Sequence, residues 1–328
     1  MFRKIWKTLK IFIIIGIVLV CIPHSFLPSN GAEKSTESIE DYLLLNDKET
    51  RLIEFKDNEA ALRLKLEQLD LINASRKKFK AGPVKLDILA SRVANKMCKE
   101  AADNEFVGHW NTAGEKPYHR YAFAGGYDHV SENAFGEWSS GNYEISNAKI
   151  RSMMMTGHGK FMAERAPNDG HKKTIIEKAH NFVGIGYYLE GKQFRYYEEF
   201  IDRYLEFENI PAEVKQGEKF SITVRTAPQS YPYYLIVYRE KFPQQLSVNQ
   251  LKSKGSYEDY TNEDYLKIPA WELSKYRSGN TYRIPLTFSK EGLYYIHIYV
   301  DKTELTKPAS INTKGKTPVS GIVIKVTE

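Results

Sequence analysis

Cysteine is almost missing from this chain: its 328 residues hold two, Cys21 and Cys98. With one thiol beyond the first thirty residues, no disulfide can form there, so stability has to come from packing. Familiar catalytic signatures are missing as well. There is no HExxH, no GxSxG, no Walker loop and no paired CxxC, which removes the zincin, α/β-hydrolase and P-loop readings. Gly184-Ile185-Gly186 lacks the third glycine and the following helix of a dinucleotide turn. A large charge excess is also lacking. The net charge is +6, and Arg3, Lys4, Lys7 and Lys10 supply four of those charges before any cleavage point. The remaining +2 gives no reason to expect a nucleic-acid partner or an anionic membrane surface. No internal repeat is visible.

The first 31 residues have a clear pattern. A basic start, MFRKIWKTLK, precedes an apolar run over 11–22, then Pro23 and small residues at 29–32. This is the order of a secretory signal peptide, or of a signal anchor if it is retained. The run is short for a span, which needs roughly 20 apolar residues. Val20 before Cys21 argues against lipidation, where a small residue is required. Export without disulfides fits a bacterial secreted or surface protein, touching a membrane only through this anchor.

Residues 32–53 read as a polar spacer. Apolar residues then recur at helical spacing over 54–76 (Leu62, Leu66, Leu69, Ile72) and 86–102 (Leu86, Leu89, Val93, Met97). Cys98, beside the second stripe, reads as a buried structural thiol. Residues 106–140 are glycine- and aromatic-rich, which predicts loop or short helix. A helix is expected over 147–164 and strands over 181–189 and 193–207. Helices followed by neighbouring strands argue an α+β first domain, 54–208. From 209 onward the period changes. Short aromatic and β-branched runs at 220–225, 233–239, 282–288, 293–300 and 320–326 predict an all-β, Ig-sized sandwich, 209–328, with a polar insertion at 243–278. The tyrosines at 231, 233, 234 and 238 suit either sheet packing or a carbohydrate- or protein-binding surface. Asn73-Ala74-Ser75 matches a glycosylation sequon inside an expected helix.

The chemistry-bearing residues that remain are two imidazoles and two carboxylates. His109 follows a helix and a glycine; Glu132 sits in Ser131-Glu132-Asn133-Ala134-Phe135. Glu164 ends a helix, and His171 opens Gly170-His171-Lys172-Lys173. In one cleft these four could hold a divalent metal with water in open positions. They could act as an acid/base pair, or form a hydrogen-bonded network that only fixes loops.

The blocks around these residues resemble the CAP superfamily (SCP/TAPS: cysteine-rich secretory proteins, antigen 5, pathogenesis-related 1). Leu71-Ile72-Asn73-Ala74-Ser75-Arg76 with Val84-Lys85-Leu86 is similar to its opening helix. Gly108-His109-Trp110, Gly114, Arg120, Gly126-Tyr127 and Ser131-Glu132-Asn133 resemble its H…G…R…GY…GEN block, with Ser131 in place of glycine. Gly170-His171-Lys172-Lys173-Thr174-Ile175-Ile176 resembles GHRxNIL, with Thr174 where Asn is common, and Phe182-Val183-Gly184-Ile185-Gly186 resembles the VGxG strand. The resemblance spans about residues 60–207. It implies a CAP-type α-β-α sandwich whose cleft is lined by His109, Glu132, Glu164 and His171. It further implies an extracellular protein that binds a lipid-like ligand, a divalent metal (zinc, calcium or magnesium, at His109 and His171) or a protein partner. The alternative is a metal-dependent hydrolase in which Glu132 or Glu164 activates water.

Overall fold

The computed structural model describes residues 37–255, 257 and 264–328, so the leader expected over 1–31 lies outside it. Among the described residues no helix is long and apolar enough to cross a membrane. Residues Ser35–Glu328 form one compact unit.

The first part carries helices α1 (Ile39–Lys48), α2 (Glu59–Lys78), α3 (Ile88–Asp103), α4 (Pro117–Phe123), α5 (Asn147–Ala163) and α6 (Gly170–Ile176). Its strands are β1 (Lys85–Leu86), β2 (His129–Trp138), β3 (Phe182–Glu190) and β4 (Gln193–Asp202), in sheet order β1-β3-β4-β2. One face of the sheet packs on α1, α2, α5 and α6 through Tyr42, Leu62, Ile72, Met154 and Phe161 against Val183, Ile185 and Phe200. The other face meets α3. Gly184 and Gly186 are the reason α3 can lie so close: an added Cβ would stand 2.4 Å from Ala90 C and 2.3 Å from Ala94 C. Small residues one turn apart on the helix meet alternate glycines on the strand, and Val183 and Ile185 between them point to the opposite layer. This is the α-β-α layering that the resemblance implies.

Two expectations change here. The spacer over 32–53 contains a helix, α1. Ser38 and Asp41 form its capping box, and Tyr42 and Asn46 are buried under it. Arg92, buried on α3, donates to the carbonyls of Asn46, Glu49 and Arg51, so this segment is pinned rather than loose. Within 106–140 lies a ten-residue strand, β2, whose glycines and polar residues hid the strand period. The sequon at Asn73 is occupied structurally: its amide donates to Val84 O at 2.9 Å and accepts from Val84 N at 2.8 Å. Arg76, three residues on, is buried and donates to the carbonyls of Gly82, Ile175, Glu177 and His180. Cys98 is fully buried, and burial pushes its thiol up.

The second part has ten strands: β5 (Leu205–Glu208), β6 (Glu213–Lys215), β7 (Lys219–Thr226), β8 (Tyr231–Glu240), β9 (Asp264–Pro269), β10 (Arg277–Ser278), β11 (Thr281–Thr287), β12 (Gly292–Asp301), β13 (Thr317–Pro318) and β14 (Ile322–Thr327). One sheet runs β10-β11-β7-β5, the other β6-β14-β12-β8-β9 with β13 on β12. Ile222, Val224 and Ile284 of the first share one apolar cluster with Leu235, Ile296 and Ile324 of the second. Inside the insertion at 243–278 lie two short helices, α7 (Val248–Ser253) and α8 (Ala270–Leu273), together with β9, so this part is not purely β. Another cluster joins the two parts: Leu89, Val93, Tyr118 and Val130 pack with Leu293, Tyr295 and Val323. The Tyr118 and Tyr295 rings stack at 4.3 Å.

Candidate functional site

β2 is the edge strand of its sheet, and successive residues on it face opposite sides. Glu132 pairs across the ladder with Glu199, and Asn133 with Glu198. The two His–Glu pairs are therefore assembled from the two faces of one strand edge.

His109 lies in the loop after α3. Tyr197 donates its hydroxyl to Gly108 O at 2.7 Å, and Arg120 on α4 donates to His109 O at 2.6 Å. With its backbone held from both ends, His109 donates Nδ1–H to Glu132 Oε1 at 2.8 Å. Arg120 donates to the other oxygen of Glu132. Burial alone would raise the Glu132 carboxyl, but Arg120 and His109 outweigh it and hold it below its ordinary value. Glu199 lies 3.8 Å from Arg120 and is also buried. Burial first, and then the charge on Glu132, push its carboxyl well above the usual range. As a carboxylate it has no donor for either oxygen. Of two buried acids beside one guanidinium, the surroundings thus favour the charged form of Glu132 over that of Glu199.

The second pair is built locally. Glu164 caps the C-terminus of α5, and His171 lies in the first turn of α6. The Glu164 carboxylate accepts the backbone N–H of His171 at 3.0 Å and of Lys172 at 3.3 Å, and His171 Nδ1 at 2.5 Å. Phe161 stacks on the His171 ring at 4.7 Å. Asn133 ties this pair to β2 by donating to His171 O at 3.1 Å and to Glu198 at 3.0 Å. Glu198 in turn accepts from Tyr196 Oη at 2.5 Å and His158 Nδ1 at 3.1 Å, and His158 Nε2 meets Ser75 Oγ at 2.9 Å. That Ser–His–Glu order resembles a nucleophile relay, but Ser75 is buried in the last turn of α2. Backbone carbonyls, not N–H groups, end a helix there, so an oxyanion would be repelled. The set is a cross-layer strut.

The structure brings all four expected residues together. The His109 and His171 ring centroids are 6.4 Å apart, and their side chains are 19% and 34% exposed. Each uses Nδ1 on its carboxylate, which leaves Nε2 without a hydrogen-bond partner among the described residues. This carboxylate–imidazole arrangement fixes the tautomer of a metal-binding histidine. Among the described residues no group of three or more His, Cys, Asp or Glu side chains could hold an ion. Two nitrogens are present; any further ligands would have to be water or part of a bound molecule.

Sequence reasoning missed three participants. Arg120 was visible in the motif but had no role. Glu199 could have been found, because Tyr196-Tyr197-Glu198-Glu199-Phe200 places two carboxylates in an aromatic strand, and buried acids need partners. Tyr257 carried no signal at all. It comes from the insertion at 243–278, accepts Glu132 N–H at 2.8 Å and lies 4.8 Å from the His109 ring.

No family model and no curated protein matches the chain. Among solved structures it is similar to an extracellular protein containing a SCP domain from Bacillus anthracis str. Ames, at 17% identity and TM-score 0.33. That match covers 42% of this chain and 40% of the other. It is also similar to an outer surface protein from Borrelia burgdorferi, at 15% identity and TM-score 0.32, over 43% of this chain and 93% of that one. The first part of the chain thus combines an α-β-α sandwich with two His–Glu pairs, one on the β2 edge and one between α5 and α6.

Proposed function

We propose that this is an exported, CAP-like binding protein whose cleft receives its ligand between His109 and His171. Export rests on the leader pattern of the first 31 residues. The observation that carries the binding reading is the pairing of both imidazoles with carboxylates through Nδ1, at 2.8 and 2.5 Å, which leaves two open Nε2 atoms side by side. Such atoms take a divalent ion or a hydrogen-bonding group of a small molecule or protein.

The hydrolase reading is weaker for a specific reason: both carboxylates are already committed to several hydrogen bonds. Glu132 is held on one oxygen by His109 and on the other by Arg120. Glu164 accepts three N–H groups. A general base needs a free lone pair within reach of the water it deprotonates.

The test is titration of zinc, calcium and magnesium into the wild type and into His109→Ala/His171→Ala, reading metal uptake and melting temperature. Metal uptake and a rise in melting temperature confined to the wild type support an ion between the imidazoles. Equal behaviour of both proteins removes the metal. A peptidase screen with metal-dependent turnover abolished by Glu132→Gln would replace binding with hydrolysis.

A further inference from the structure

A second site lies beside the cleft, where the loop after His109 meets the insertion of the C-terminal part. It is a cavity of about 350 Å³, at the lower end of the range for small-molecule sites. Its wall begins with Trp110, the residue next to His109. Gly114 sets how closely the two parts approach. Its φ is +76°, and an added Cβ would stand 2.2 Å from Gln244 O, so no side chain fits there. Leu246 N–H donates to Thr112 O at 2.8 Å and fastens the same seam.

The lining is one-sided in charge. Lys116, Arg239, Lys241 and Lys254 face it with one acid among the described residues, Glu240. That acid is already engaged: it is buried and accepts from Lys116 Nζ at 2.7 Å and Tyr118 Oη at 2.7 Å. Burial opposes its ionisation, yet His119 and Lys116 pull its carboxyl down to about 2. Lys241 and Lys254 remain as exposed cations on the rim, with Lys254 Nζ 4.4 Å from the Trp110 ring centroid. The indole Nε1 is buried without an acceptor. The surroundings therefore offer an aromatic face and an excess of donors and cations, with the Glu240 carboxylate already occupied.

We infer that this cavity binds a small organic anion, its phosphate or carboxylate on Lys241 and Lys254 and its flat or apolar part against Trp110. Cation–π contacts and charge-assisted hydrogen bonds are the interactions such a ligand would gain. The site needs both parts of the chain and does not involve the His/Glu pairs, so it stands whether or not the cleft binds metal.

The experiment titrates phenyl phosphate, benzoate and inorganic phosphate into the full chain, followed by calorimetry and tryptophan fluorescence. The expected result is saturable one-to-one binding of phenyl phosphate, benzoate or both, weakening as salt rises, with a fluorescence change. Which aryl anion binds more tightly identifies the acidic group. Inorganic phosphate should bind at least tenfold more weakly. Lys241→Ala/Lys254→Ala should lose tenfold or more in affinity while keeping the wild-type melting temperature. Trp110→Phe should remove the fluorescence change, and His109→Ala/His171→Ala should bind as the wild type does. Absence of saturable binding to the wild type overturns the proposal. So does equal affinity in the lysine variant, or equal affinity for inorganic phosphate.

Discussion

The two His–Glu pairs share a design in outline and differ in how they are held. Glu132 has a fully buried side chain in a strand and is clamped by Arg120, with Glu199 directly across the ladder. Glu164 is 23% exposed, sits at a helix end and is held by backbone N–H groups of its own loop. The first pair belongs to the framework: its charges were taken out of water on folding, and each depends on the others. The second is a surface fixture that loop motion can open. The shorter hydrogen bond, 2.5 Å against 2.8 Å, thus belongs to the more exposed pair, and desolvation, not distance, decides what a charge is worth.

That contrast is broken most severely by leaving Arg120 without any counter-charge. Glu132→Gln alone favours ionisation of Glu199 beside Arg120, since it removes the like charge that, after burial, raises the Glu199 carboxyl. Glu132→Gln/Glu199→Gln leaves the guanidinium unpaired and should cost about 3–5 kcal/mol, well beyond the sum of the single variants. Urea unfolding of the wild type, both singles and the double measures this. Simple additivity would mean that Glu199 cannot substitute for Glu132.

Acid is the next largest perturbation, and it acts through buried carboxylates outside the cleft. Burial would raise Asp202, but His180 and His129 bring its folded value from 3.8 to about 2. A depressed carboxyl adds stability above its unfolded value and loses it as pH falls through the folded one. Between pH 4 and 2, Asp202 should therefore give up about 2 kcal/mol, and Glu240, also held at about 2, a similar amount. Urea midpoints over that range should drop steeply in the wild type and less in Asp202→Asn. A flat profile would show that these pairs contribute nothing.

Glu199 has the opposite sign. Its folded value is raised above the unfolded one, by burial first and then by the charge on Glu132, so folding favours its protonated form. Its penalty is absent below the unfolded value and grows as pH rises toward the folded one. Glu199→Gln, which keeps the shape of the neutral acid, should therefore stabilise the protein more at pH 7 than at pH 4. Destabilisation at both pH values would show that Glu199 carries the charge.

Much of the first part was legible because short-range rules govern it. Helical spacing located α2, α3 and α5, and the apolar run around Gly184 and Gly186 read as a strand. Glycine at those positions is legible as chemistry too, once α3 is known to press Ala90 and Ala94 against them. What escaped was set at long range. β2 looks like a loop because its residues satisfy each other across the sheet (Glu132 with Arg120, Asn133 with Glu198) rather than through an apolar alternation. Helix α1 looked like a spacer because only Tyr42 and Asn46 are buried on it, and the groups that receive them, Leu86, Asp57 and Arg92, lie elsewhere in the chain. Tyr257 could not be assigned to the cleft at all: 125 residues separate it from Glu132.

The smallest effect is expected where the sequence signal was weakest, at Glu164. Glu164→Gln keeps an acceptor for the His171 and Lys172 N–H groups and removes only a charge at a partly exposed site. Ion pairs in such settings contribute about 0–1 kcal/mol, so unfolding midpoints should barely move. The consequence should appear in the imidazole instead. Without the carboxylate on Nδ1, the His171 ring loses its charged acceptor, and its ring proton signals should move while those of His109 stay put. Proton NMR of the two imidazoles reads both at once. A shift of His109 together with His171 would mean that the pairs are coupled through Asn133 and that the division between framework and fixture is wrong.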